Sequence, residues 1–137
     1  MSRNVETVQQ AYAAFGRGDV EGILATLDDA IEWHGVKGAE GVAPHAGLRR
    51  GKPAVAEFFA QLAGSLDFHR FQPLEFVDGG DTVAVIGEYE ATAKTTGRRM
   101  ASDWVMVFTF RAGKIVQFRE WTDSAQLVRL YGAAAGV

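Results

Sequence analysis

The first apolar positions, Val5, Val8, Tyr12 and Phe15, recur at spacings of three, four and three, one face of a helix. Ser2 or Asn4 caps that helix, and Gly16-Arg17-Gly18 breaks it. Asp19 then caps a shorter helix with Val20, Ile23, Leu24 and Leu27 on its buried face. Ala30 to His34 reads as a short strand. Gly35 to Gly51 reads as a loop with five glycines, long enough to suggest a functional or mobile segment. Pro53 suits the first turn of a third helix, whose apolar stripe is Val55, Phe58, Phe59, Leu62 and Leu66.

From Phe68 onward the period changes from helical to alternating. Strands are predicted over Phe68 to Val77, Val83 to Ala93, Ala101 to Phe110 and Ile115 to Trp121, the first weakened or edged at Pro73. Asp78-Gly79-Gly80-Asp81, Thr96-Gly97-Arg98 and Arg111-Ala112-Gly113 supply the turns. A last helix runs from Ser124 to Tyr131, capped by Asp123 with Gln126 three residues on, and a small-residue tail beyond it should fray. Helices first and a meander of strands after make an α+β order.

Gly113 suits a three-residue hairpin loop that closes in the left-handed region. That loop sets Phe110 opposite Lys114, Met106 opposite Phe118 and Trp104 opposite Glu120. One face then carries Trp104, Met106, Phe108, Val116, Phe118 and Glu120, and is the apolar one. The other carries Asp103, Val105, Thr109, Gln117, Arg119 and Trp121. A two-residue loop would slip the register by one and put Asp103 and Glu120 on a single face. In the preferred register Glu120 points inward, where a carboxylate must be paired, hydrogen-bonded or protonated.

A length of 137 residues suits one domain, 1–137, and the apolar share of 47% is that of an ordinary globular chain. Net charge is -3 and the only basic cluster is Arg49, Arg50 and Lys52, so a nucleic-acid partner is not expected. The absence of cysteine excludes thiolate chemistry. No apolar run reaches the roughly 18 residues of a membrane span, and the first ten residues hold no signal-peptide core. A cytoplasmic protein with no membrane partner is expected. His34, His45 and His69 lack the close spacing of a metal site, so no metal is expected. His69, next to Phe68, is read as structural and His45 as part of a lid. Glu88 and Glu90 fall on the more polar face, exposed or paired with Arg119.

The segments Val8-Gln9-Gln10-Ala11-Tyr12-Ala13-Ala14-Phe15-Gly16-Arg17-Gly18-Asp19 and Asp28-Asp29-Ala30-Ile31-Glu32-Trp33-His34 resemble the opening of SnoaL-like and ketosteroid-isomerase-like proteins of the NTF2-like superfamily. Gly51-Lys52-Pro53-Ala54-Val55-Ala56-Glu57-Phe58-Phe59 resembles their third helix, and Gly113 to Asp123 their final strand and its closing acid. The resemblance implies an NTF2-like cone: a curved, mostly antiparallel sheet wrapped around three N-terminal and central helices, with a short C-terminal helix. It also implies an enclosed pocket and a homodimer formed through the convex sheet face.

By the same resemblance His34 falls where the isomerases keep their general base, and imidazole titrates near neutrality. Glu120 falls where epoxide-hydrolase-like members keep an acid in the last strand. Those hydrolases carry an Arg-x-Asp pair on the preceding long strand; Gly87 and Tyr89 stand there, which argues against their mechanism. The expected reading is a cofactor-independent proton-transfer enzyme of the isomerase, cyclase or dehydratase kind, acting on an apolar, oxygen-bearing small molecule. His34 is the base or acid, Glu120 its orienter or a second acid, and Tyr89 a donor to a developing oxyanion. Tyr12, Trp33, Phe59, Trp104, Met106 and Phe118 form the pocket wall. The alternative is a non-catalytic carrier of a hydrophobic ligand. A cavity of several hundred Å3 with two converging titratable groups favours the enzyme; a collapsed or wholly apolar one favours the carrier.

Overall fold

The computed structural model describes residues 2–132, so the small-residue tail lies outside the described residues. Helix α1 is Arg3–Gly16, and the Ser2 hydroxyl caps it by accepting from the Val5 N–H at 3.2 Å. Asp19 caps α2, Val20–Leu24, by accepting from Gly22 N–H at 2.9 Å. Helix α2 stops before Leu27, which instead opens strand β1, Leu27–Gly35, longer than the expected Ala30 to His34. The loop that follows is not wholly irregular: Gly47–Arg50 forms a short strand, β2, antiparallel to β1. Helix α3 is Lys52–Ser65, with Pro53 in its first turn.

The long strands are β3 (Leu66–Asp78), β4 (Thr82–Ala93), β5 (Arg99–Arg111) and β6 (Lys114–Thr122), followed by helix α4, Ser124–Leu130. Leu66, expected on the α3 stripe, is the first residue of β3. The register of β3 on β4 shifts between Pro73 and Glu75, where proline has no N–H to give and Leu74 swings out to 60% exposure. The sheet order is β2-β1-β6-β5-β4-β3, with β1 and β6 parallel and every other pair antiparallel. The helices cover the inner face of this curved sheet, as expected, and the core lies between them.

The hairpin between β5 and β6 differs from the expected one. Ala112 and Gly113 both have positive φ, 51° and 79°, and Arg111 pairs with Lys114: a two-residue turn. A bulge between Thr109 and Phe110 then shifts the register again, so Met106 faces Glu120, Phe108 faces Phe118 and Trp104 faces Thr122. Two single-residue slips restore the parity of the faces. Glu120, Phe118, Phe108, Met106 and Trp104 are therefore buried as expected, and Asp103 is exposed. Val116, expected inside, gives up its place to Ile115, because the extra residue of the bulge falls beside it.

On the outer face Glu88 and Glu90 pair with Arg70, at 3.5 and 3.6 Å, and Glu90 also with Arg99 at 3.5 Å, rather than with Arg119. No helix among the described residues is long and apolar enough to cross a membrane.

Candidate functional site

The inner face of the sheet and helices α1–α3 enclose a cavity with about 70 Å3 of open space. That holds a few water molecules, against the roughly 300–1,000 Å3 of pockets that take drug-sized ligands. The space is small because aromatic rings fill it. Tyr12, Phe15, Phe59, Phe71 and Phe118 are among its lining, with Trp33 stacked on Phe118 at 3.8 Å between ring centroids. Tyr12, Phe15, Phe68 and Phe71 also line an outer groove past His69 and Arg70. Those four side chains are the thin wall between cavity and solvent.

Polar chemistry enters this cavity at few points. Glu120 sits on β6 with only 7% of its surface exposed. Burial pushes its carboxyl up to about 7, while the Val36 backbone N–H draws it partway back. At neutral pH such a group is near its midpoint and can both give and take a proton. Tyr12 and Tyr89 share the cavity with it. Burial first, and the Glu120 carboxylate second, hold the Tyr12 phenol well above its ordinary value. Its hydroxyl lies 3.0 Å from Met106 Sδ, a weak acceptor. Burial also raises Tyr89, whose hydroxyl meets Thr122 Oγ1 at 3.1 Å. Both phenols stay protonated and remain donors.

A further titratable group in the cavity is His45, 2% exposed. Sequence reasoning placed it in a lid and gave it no chemistry. The segment before it is folded tightly: Ala39 and Ala43 are buried, and Val42 N–H and Ala43 N–H donate to the Ala39 carbonyl at 3.1 Å. Gly35 permits the return of the chain, since a Cβ there would come within 2.6 Å of the His45 carbonyl oxygen. The available signal is the run of small residues Gly38, Ala39, Gly41, Ala43 and Ala46, which can pack closely where a loop of long side chains cannot. Burial and the neighbouring Arg49 charge lower the His45 imidazole to about 4, so it is neutral at pH 7.

His34 is not in the cavity. Alternation along β1 turns Ile31, Trp33 and Gly35 inward and His34 outward. Its side chain, 24% exposed, has Nε2 3.5 Å from Glu32, which also holds Arg50 at 2.8 Å. The expected pairing of His34 with Glu120 is absent, because strand periodicity sends the two to opposite faces. Trp104 is also misplaced as pocket wall. It lies one layer behind, packed against both Tyr12 at 5.7 Å and Phe71 at 5.0 Å. Tyr12, Trp33, Phe59, Met106, Phe118, Tyr89 and Glu120 all line the cavity.

Among the described residues no group of three or more His, Asp or Glu side chains is arranged to hold a metal ion. Asp123 is a helix cap: its carboxylate accepts from Gln126 N–H at 3.1 Å.

The SnoaL-like domain family matches residues 8–118 of the chain. An NTF2-like protein of unknown function from Burkholderia pseudomallei superposes with a TM-score of 0.87 at 30% identity, covering 96% of this chain and 98% of its own. One from Burkholderia xenovorans does so with a TM-score of 0.84 at 35% identity, covering 94% and 95%. TerC, crystallised with polyporic acid, has a TM-score of 0.84 at 30% identity, covering 95% and 98%. No curated protein matches the chain. With the cone-shaped sheet, the covering helices and the family match in agreement, the chain belongs to the SnoaL-like family and has the NTF2-like fold.

Proposed function

We propose that this chain is a cofactor-independent acid–base enzyme for a neutral, apolar, oxygen-bearing small molecule, with Glu120 as the proton-transferring group. The observation that carries this reading is that Glu120 and His45 both line one aromatic cavity, each biased by burial toward its neutral form. A fixed cation to seat an anionic substrate is not among the lining residues, and a neutral substrate fits that lining.

In this reading the Glu120 carboxylate takes a proton from a carbon next to a carbonyl. The bonding electrons move onto the carbonyl oxygen, and the Tyr12 and Tyr89 hydroxyls donate hydrogen bonds to the oxyanion. Protonated Glu120 then returns the proton to the same or another carbon, which gives exchange or isomerisation with no net change in charge. Glu120 takes the acid–base role expected of His34, and His45 is a neutral imidazole in the same cavity. The substrate enters by displacing the Tyr12, Phe15, Phe68 and Phe71 wall, since the resting cavity is too small to hold it.

The small volume favours a second reading, a carrier that closes on an apolar ligand without chemistry. TerC, a structural relative, was crystallised with polyporic acid. The discriminating experiment incubates the protein with apolar ketones, lactones and polyketide fragments in deuterated water. Deuterium uptake by wild type that Glu120→Gln abolishes supports the enzyme. Binding with no uptake by either form supports the carrier.

We further infer a homodimer through the outer sheet face. Ile86, Val105 and Trp121 are directly paired across β4, β5 and β6 and are all exposed. An exposed apolar row of this kind marks an association surface.

A further inference from the structure

His45 is tied to the end of the chain by hydrogen bonds that lead away from the cavity. Its Nδ1 lies 3.3 Å from the Tyr131 hydroxyl. That hydroxyl lies 3.2 Å from Ser65 Oγ, and Ser65 Oγ lies 2.7 Å from the Gln61 carbonyl oxygen. Tyr131 is held in reach because Thr96 Oγ1 and Arg98 Nη1 each donate, at 2.7 Å, to the carbonyls of Leu130 and Arg129.

The direction of this chain follows from counting protons. Each hydroxyl has one to give. The Gln61 carbonyl can only accept, and its contact is the shortest, so it takes the serine proton. Ser65 Oγ is then an acceptor and takes the tyrosine proton. The Tyr131 oxygen has only lone pairs left for His45, so Nδ1 must carry a hydrogen. In a neutral imidazole the other nitrogen is then a bare acceptor. Among the described residues no hydrogen bond reaches Nε2, and His45 lines the cavity.

We propose that Tyr131 and Ser65 are positioning residues that lock His45 as the Nδ1–H tautomer. The cavity therefore offers Nε2 as an acceptor and selects a neutral hydroxyl-bearing ligand, a phenol or an enol, over its methyl isostere. The ligand part rests on the cavity being a binding site, as in the function proposed above; the tautomer part does not.

The test is a long-range proton–nitrogen correlation spectrum of protein labelled with 15N-histidine, without ligand. Wild type should show His45 protonated at Nδ1 and bare at Nε2. Ser65→Ala removes the acceptor of the tyrosine proton, which can turn to Nδ1 and shift the population toward the Nε2–H tautomer. Tyr131→Phe should leave a mixture. A wild-type Nε2–H tautomer overturns the proposal whatever the variants do, and so does a population that neither variant moves.

Phenol, toluene and anisole, titrated separately, probe the ligand part. Wild type should bind phenol about fivefold more tightly than toluene, the worth of one hydrogen bond. Ser65→Ala, in which the His45 Nε2–H donates to an ether oxygen as well as to a phenol, should narrow the phenol-to-anisole ratio. Equal binding of phenol and toluene by wild type, an unmoved phenol-to-anisole ratio, or no binding of any probe overturns that part. An enzyme that shows the locked tautomer but exchanges no substrate proton would sink the proposed activity and leave the lock standing.

Discussion

Glu120 and His45 bend stability in opposite directions with pH. Glu120 is raised from 4.5 to about 7 in the fold, so the native state binds its proton more tightly than the unfolded chain does. Its contribution is intact below 4.5 and is lost as pH rises through about 7, a loss of about 3 kcal/mol by linkage. His45 is lowered from 6.5 to about 4, so its contribution is intact above 6.5 and is lost as pH falls through about 4. Between 4.5 and 6.5 the two slopes nearly cancel. Chemical denaturation across pH should show this as a level stretch. Glu120→Gln should leave stability rising with pH over that range, and His45→Gln should leave it falling. Gly87 is a second residue with a sharp consequence. A Cβ there would stand 2.3 Å from Trp104 Cζ2 and 2.4 Å from the Gln72 carbonyl, so Gly87→Ala should cost about 1–3 kcal/mol in urea unfolding.

The β5–β6 hairpin shows what a pattern of apolar positions can and cannot specify. Period-two alternation sorted Trp104, Met106, Phe108, Phe118 and Glu120 onto the inner face, because burial acts on faces. It could not find the partners across the strands. Those depend on a turn with Ala112 at φ 51° and on a bulge between Thr109 and Phe110, and neither leaves a hydrophobic signature. Ala112 is an L-residue in the left-handed region, so Ala112→Asn, which makes an Asn-Gly type I′ turn, should stabilise by about 1 kcal/mol, read as a higher urea midpoint. The cap of α4 was legible from Asp123 and Gln126, since capping is local chemistry. Asp123→Ala should lose about 1 kcal/mol by the same measurement.

For the molecule as a whole, the cone and its helices were legible because the chain turns from mostly helical to continuously alternating near Phe68, and because the resemblance spans the chain. The site was legible only in part. Glu120 and Tyr89 could be placed by counting along strands, but His45 arrives by a folded loop whose path no periodicity records. His34 failed for the opposite reason: family position suggested it, while strand alternation along Ile31, Trp33 and Gly35 turns it outward. If the Ile86, Val105 and Trp121 row is the dimer face, Val105→Glu should convert a dimer to a monomer in sedimentation equilibrium with the cavity chemistry retained. The central claim is that Glu120 and His45 line one aromatic cavity, each biased by burial toward its neutral form. A site-resolved NMR titration of the Glu120 side-chain carboxyl and the His45 ring in the same sample tests it most directly. The structure predicts Glu120 titrating at about 7 and His45 at about 4. Glu120 titrating with ordinary surface carboxylates, and His45 near 6.5, would contradict it.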